Sequence, residues 1–111
     1  MNQARPNDPL DDAMRRVAVG DRDAVAEVYT GLWPLVRAYC VKRLHGATAL
    51  AEDAAQEALV KLMHQAPSYD PRRSVRTWAL TLAHWECRTL LRRQQRRGEV
   101  AIERPPVHES Q

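Results

Sequence analysis

Apolar residues recur along this chain at helical rather than strand spacing, and their rhythm divides it into four segments. Asp11 or Asp12 can cap a short first helix running through about Ala18, and Gly20 ends it. Asp21 starts a second, in which Ala24, Val25, Val28 and Leu32 share one face. Gly31 and Pro34 interrupt that face before it resumes at Leu35, Val36, Tyr39, Cys40 and Leu44, which predicts a kink or two abutting helices. After His45 and Gly46, Thr48 can cap a third helix reaching about Gln65. Pro67 stops it, and Tyr69-Asp70-Pro71 reads as a turn or loop. Ser74 is the natural cap of a fourth helix, which can run to Gly98. The expected fold is all-α, a compact bundle of about four helices with a long basic C-terminal helix.

Two of these helices carry faces that need a further account. On the third, Ala51, Ala54, Ala55, Ala58, Leu59 and Leu62 fall on one side at 100° per residue. The opposite stripe holds Asp53, Gln56, Glu57, Val60 and His64, with Met63 at its edge. On pattern alone such a stripe is a solvated surface. The fourth helix is apolar around most of its first four turns, with only Thr77, Thr81, His84 and Glu86 clearly polar. Such a helix must be wrapped by its neighbours or cover something else. Its last turns, LLRRQQRR, project arginines and glutamines into solvent.

Charge sharpens the picture. From Pro71 to Arg97 eight arginines stand against one acid, Glu86, a local charge of +7 inside a chain whose total is +3. The rest of the chain is slightly acidic. A one-signed segment that also carries Trp78 and Trp85 is what a polyanion site requires. At 111 residues the chain is one domain, with residues 1–9 expected as a flexible tail, 10–98 as the domain and 99–111 as a linker or tail. No apolar run is long enough to span a membrane, and MNQARPNDP does not read as a signal peptide, so a cytoplasmic protein is expected. Cys40 and Cys87 have neither disulfide nor zinc spacing and read as small core residues.

Other classes of function find little support in the residues. No Gly-rich phosphate loop, HExxH or Ser/His/Asp set is present, and the carboxylates sit on helix faces, so no enzyme is expected. His84 and Cys87 at i, i+3 are too few ligands for zinc, and no cofactor is expected. A duplex-binding regulator would need helix-turn-helix spacing, which is not evident. The alternative that stays open is a small helical interaction module whose basic helix binds an acidic protein or a membrane surface without reading a promoter.

The segment AEDAAQEALVKLMHQAPSYDPRRSVRTWALTLAHWECRTLLRRQQRR resembles region 2 of bacterial sigma factors, specifically the extracytoplasmic-function (group 4) kind of the sigma-70 family. Ala51-Glu52-Asp53 with Gln56-Glu57, the Tyr69-Asp70-Pro71 loop, Trp78 and the arginine-rich helix end carry the resemblance. Upstream, VAVGDRDAVAEVYTGLWPLVRAYC is similar to the family's opening helices. The resemblance implies that Asp53, Gln56 and Glu57, with Val60 and Met63 as apolar contacts, dock on the clamp helices of the largest subunit of bacterial RNA polymerase.

It further implies that the loop Ser68, Tyr69, Asp70, Arg72, Arg73 and Ser74, followed by Arg76, captures a base flipped from the non-template strand of the promoter minus-ten element. Tyr69 either stacks on that base or plugs the core beneath the loop. His84, Trp85, Arg88 and Arg92 are expected to face the strand, and Arg93, Arg96 and Arg97 to meet duplex phosphate upstream. Trp78 is expected in the core, Trp85 equally as core or as wedge, and Trp33 as packing or partner surface. The family often has Asn at Trp85 and Asp at Thr89, so the promoter sequence preference does not carry over. An anti-sigma protein is implied as a partner, with the isolated domain a monomer that makes no membrane contact of its own. Gly98 to Gln111 has no room for the family's second helical domain, region 4. The expectation is an excised domain ending in the interdomain linker, against a natural single-domain variant.

Overall fold

The structure, a computed structural model, describes the backbone of residues 8–103 and the side chains of residues 8–97. Four helices follow one another, α1 (Pro9–Ala18), α2 (Asp23–Arg43), α3 (Thr48–His64) and α4 (Val75–Glu103), with a single 3-10 turn at Ala66–Ser68 before α4. The expected all-α bundle is what forms. The tail and linker expected over 1–9 and 99–111 lie outside the described residues, except that Asp8 caps α1, Pro9 opens it and 99–103 continue α4.

Each helix begins and ends for a local reason, and several caps differ from those expected. Asp8, not Asp11 or Asp12, caps α1: its Oδ1 accepts from the Leu10 N–H at 3.0 Å, and Pro9 takes the first helical position, where no N–H is needed. Gly20, at φ +99°, ends the helix as expected, because a left-handed residue lets the chain turn back on the last carbonyls. Asp21 lies two residues ahead of α2 and accepts from the Asp23 N–H at 3.0 Å. α2 then runs unbroken through Gly31 and Pro34, so the second helix is one element and not two. Gly31 sits where α1 crosses: a Cβ there would stand 2.5 Å from Leu10 Cδ2. Ala47 precedes α3 without a side-chain bond, and Thr48 is its first residue rather than its cap, donating instead to the Gly46 carbonyl at 3.3 Å. Ser74 does cap α4, accepting from the Thr77 N–H at 3.3 Å. That helix passes Gly98 and continues to Glu103, since one mid-helix glycine costs only about 1 kcal/mol.

The core lies between α2, α3 and α4, with α1 laid against α2 and the end of the 3-10 turn. The α3 face it uses is Ala51, Ala54, Ala55, Ala58, Leu59 and Leu62, the six residues that the wheel had aligned. Four alanines in that face let α2 and α4 approach closely on either side, and Met14, Leu32, Val36 and Val75 fill the remaining space. Among the described residues no helix is long and apolar enough to cross a membrane.

Cys40 on α2 and Cys87 on α4 are both fully buried and unbridged. Burial, helped by contact with Cys87, pushes the Cys40 thiol up to about 12. Burial raises Cys87 as well. The unfolded chain releases these protons near the ordinary thiol value of 9.0 while the folded chain keeps them. Stability is therefore expected to fall as pH rises past that value, by up to ~1.4 kcal/mol per pH unit for Cys40. Urea unfolding at neutral and alkaline pH measures it, and a thiol reagent at neutral pH should label neither cysteine until urea is added.

Candidate functional site

Two surfaces meet along α4. The first is the outward stripe of α3, where Asp53, Gln56, Glu57 and Val60 are exposed at i, i+3, i+4 and i+7 and Met63 is half-buried at the edge. Val60 leaves an apolar side chain 39% exposed between polar ones. This face is neither covered by another described helix nor absorbed into the core. Beside it a groove opens between α3 and α4, lined by Asp53, Glu57, Lys61, Glu86 and Arg93 among others. Lys61 Nζ reaches Glu86 across it at 2.5 Å, and the nearby carboxylate raises the lysine's pKa. Arg93 lines this groove and is exposed, as are Arg96 and Arg97.

The second surface is the loop before α4 and the outer seam of the helix itself. In the loop Asp70 folds back on Arg72, accepting from its backbone N–H at 2.9 Å, its Nε at 3.1 Å and its Nη2 at 3.0 Å. The Arg72 side chain, then its backbone N–H, holds the Asp70 carboxyl below the usual carboxylate range. Arg76 Nε bonds Asp8, the cap of α1, at 2.8 Å. Ser68 and Arg73 are exposed, and Ser74 is half-buried as the helix cap.

Tyr69 is the plug and not the platform. It is 7% exposed, its ring stacks on Trp78 at 5.7 Å and 13°, and its hydroxyl donates to the Arg73 carbonyl at 2.6 Å. Of the two alternatives for Tyr69, the plug is the one that its burial and its stacking on Trp78 fit. Trp78 is half-buried against the core, as expected. Trp33 is half-buried too and stacks on Tyr29 one turn earlier, at 5.9 Å and 9°, so the packing alternative holds for it.

The rotational setting of α4 follows from three consecutive residues. His84 turns toward α2, its Nδ1 sharing a hydrogen bond with the Tyr39 hydroxyl at 3.1 Å. Glu86 turns the other way, to Lys61 of α3. Successive helical side chains are 100° apart, so pinning 84 and 86 to opposite neighbours forces Trp85 outward. Trp85 is 52% exposed, which removes the core alternative for it. The guanidinium of Arg88 lies 5.3 Å from its ring centroid, and His84 meets it edge-on at 5.3 Å. His84, half-buried, thus supports the seam from the side.

The seam itself reads Thr77, Thr81, Trp85, Arg88 and Arg92, all exposed, and Arg96 and Arg97 continue the basic end. An aromatic face beneath a cation, with further arginines along one line, is the arrangement that single-stranded nucleic acid engages by stacking and by phosphate contact. The two threonines were legible as a polar strip, but not as part of this line. The Asp8 and Asp11 contacts to the start of α4 could not be found from sequence, because nothing local links positions more than 60 residues apart.

The family model for Sigma-70 region 2 matches residues 28–97, which span most of α2, α3, the loop and the basic part of α4. Comparisons with curated proteins and with solved structures return no match. The match covers well over half the chain and includes both surfaces just described, so the chain belongs to the sigma-70 region 2 family, whose members bind the RNA polymerase core and promoter DNA in transcription initiation.

Proposed function

We propose that this is region 2 of an extracytoplasmic-function sigma factor. In this reading the α3 stripe of Asp53, Gln56, Glu57, Val60 and Met63 docks on the clamp helices of the largest polymerase subunit. The loop from Ser68 to Ser74 and the seam of α4 then hold unpaired minus-ten bases of the non-template strand. The observation that carries the reading is Trp85, half-exposed beneath Arg88 on a helix whose neighbours hold it outward.

The mechanism involves no bond chemistry by this chain. Extruded bases need a stacking face and edge hydrogen bonds, which Trp85, Ser68 and Asp70 supply, while Arg73, Arg76, Arg88, Arg92 and Arg96 neutralise the backbone. The exposed pair Asp70–Arg72 costs little to open, so Arg72 can exchange its carboxylate for a phosphate. Capturing bases only when they are unpaired stabilises the open strand relative to duplex and shifts the melting equilibrium. An anti-sigma protein covering the same two surfaces would hold the factor inactive in the cytoplasm.

The test is fluorescence anisotropy with a purified clamp fragment and labelled single strands from a randomised minus-ten pool. Wild type should bind the clamp and enrich one strand motif over its complement. Gln56→Ala should weaken the clamp complex by roughly tenfold, the effect of truncating one significant contact. Indifference to the clamp together with equal binding of all strands and duplexes would instead favour a basic-helix interaction module.

A further inference from the structure

Asp11 is the one charged residue buried among the described residues, 4% exposed, and it belongs to α1, a helix outside the family match. Its Oδ1 accepts from the backbone N–H of Val75 at 2.8 Å. Val75 opens α4, and its N–H is one of the donors that a helix start leaves without an intrahelical partner. Ser74 satisfies Thr77, so the cap of α4 is divided between a residue of the loop and a carboxylate from the far end of the chain. The same Oδ1 lies 3.5 Å from the Tyr69 hydroxyl, which bonds the Arg73 carbonyl across the loop. That oxygen therefore bonds the end of the segment from Tyr69 to Val75 and lies beside its start, where the Tyr69 hydroxyl gives its proton to the Arg73 carbonyl. Asp8, the cap of α1, adds its bond to Arg76 just beyond.

We infer that α1 is a latch on the base-capture loop, with Asp11 the positioning residue that sets the loop's shape before nucleic acid arrives. The inference rests on the reading of that loop given above and adds α1 to it. Asp11 is too buried to touch a strand, so it acts through Tyr69, Arg73 and Val75. A loop of irregular backbone loses conformational freedom when it closes on a ligand, and that loss is subtracted from affinity. A loop already held at both ends has lost it during folding. The latch therefore bears on strand binding and leaves the α3 stripe, on a helix that α1 is not packed against, to bind the clamp independently.

Three variants of the full chain test this: Asp11→Ala, which removes the acceptor, Asp11→Asn, which keeps an Oδ1, and Tyr69→Phe, which keeps the ring on Trp78 but removes the hydroxyl. Affinity is measured, well below each variant's melting midpoint, for the strand that wild type enriches, for its complement and for the clamp fragment. Asp11→Ala is expected to lose about tenfold for the preferred strand, the scale of one buried donor left unpaired, with clamp affinity within about twofold of wild type. Asp11→Asn should recover most of that loss, and Tyr69→Phe should share part of it. Wild-type strand affinity in both Asp11→Ala and Tyr69→Phe would overturn the latch. So would a parallel loss of strand and clamp binding with Asp11→Asn no better than Asp11→Ala. A wild type without strand preference would be a failure of the sigma reading itself, recognisable before any variant is made.

Discussion

Tyr69→Ala should be among the most damaging single changes to this domain, lowering stability by about 3–5 kcal/mol, the cost of truncating a large buried aromatic. For a domain of this size that is a fall in Tm of at least roughly 12 °C. The reason is its position. Tyr69 closes the core under the loop, lies flat on Trp78 and ties its hydroxyl to the Arg73 carbonyl. Removing the side chain opens a cavity beneath α4, frees Trp78 on one face and leaves a carbonyl unsatisfied. Tyr69→Phe is a much milder change, about 1 kcal/mol, because only the hydroxyl's bond is lost. Thermal melts of the two variants beside wild type separate a plug from a base platform. A platform would give both variants near-normal Tm and a specific loss of strand binding in the alanine variant.

Trp85→Ala should do the reverse. Its ring is half in solvent, and within the fold it is met by Arg88 and by the edge of His84. Losing an exposed cation–π contact costs about 0.5–1 kcal/mol, so the fold should survive nearly intact. If a base stacks there, single-strand affinity should fall by about 1–3 kcal/mol, roughly 5- to 150-fold. Trp85→Phe, which keeps an aromatic face, should recover part of it. Equal strand binding by wild type and Trp85→Ala, with both folded by circular dichroism, would remove Trp85 from the interface. The pair of predictions is complementary: two aromatics within one helix and its preceding loop, one carrying stability and the other affinity.

Much of this was legible in the chain. The six buried residues of α3 follow from a 100° wheel because an α-helix fixes side-chain directions by sequence position alone. The same wheel placed Asp53, Gln56, Glu57 and Val60 outside. Ser74 was legible as a cap, since its neighbours in sequence are the donors it satisfies. Thr48 misled because a good capping residue can equally occupy the first helical turn, and Ala47 holds the cap position without a side-chain bond. Of the two outcomes expected at Pro34, two abutting helices do not form, because one proline removes one hydrogen bond, whereas the buried Val28, Leu32, Val36 and Cys40 hold α2 together on both sides of it.

The sequence by itself determined the four helices, the concentration of positive charge between Arg72 and Arg97, and which face of α3 is apolar; all are properties of neighbours along the chain. Tertiary structure alone decided which tryptophan is packed and which is offered. Trp78 and Trp85 lie a heptad apart on nearly the same side of α4, so no local rule separates them. Trp78 meets Tyr69 from the loop, whereas Trp85 lies where the bonds from His84 to Tyr39 and from Glu86 to Lys61 turn it outward. It also decided that Asp11 belongs to the start of α4. That contact joins residues 64 positions apart, and only packing α1 against the loop brings the carboxylate to a donor that would otherwise be buried without a partner.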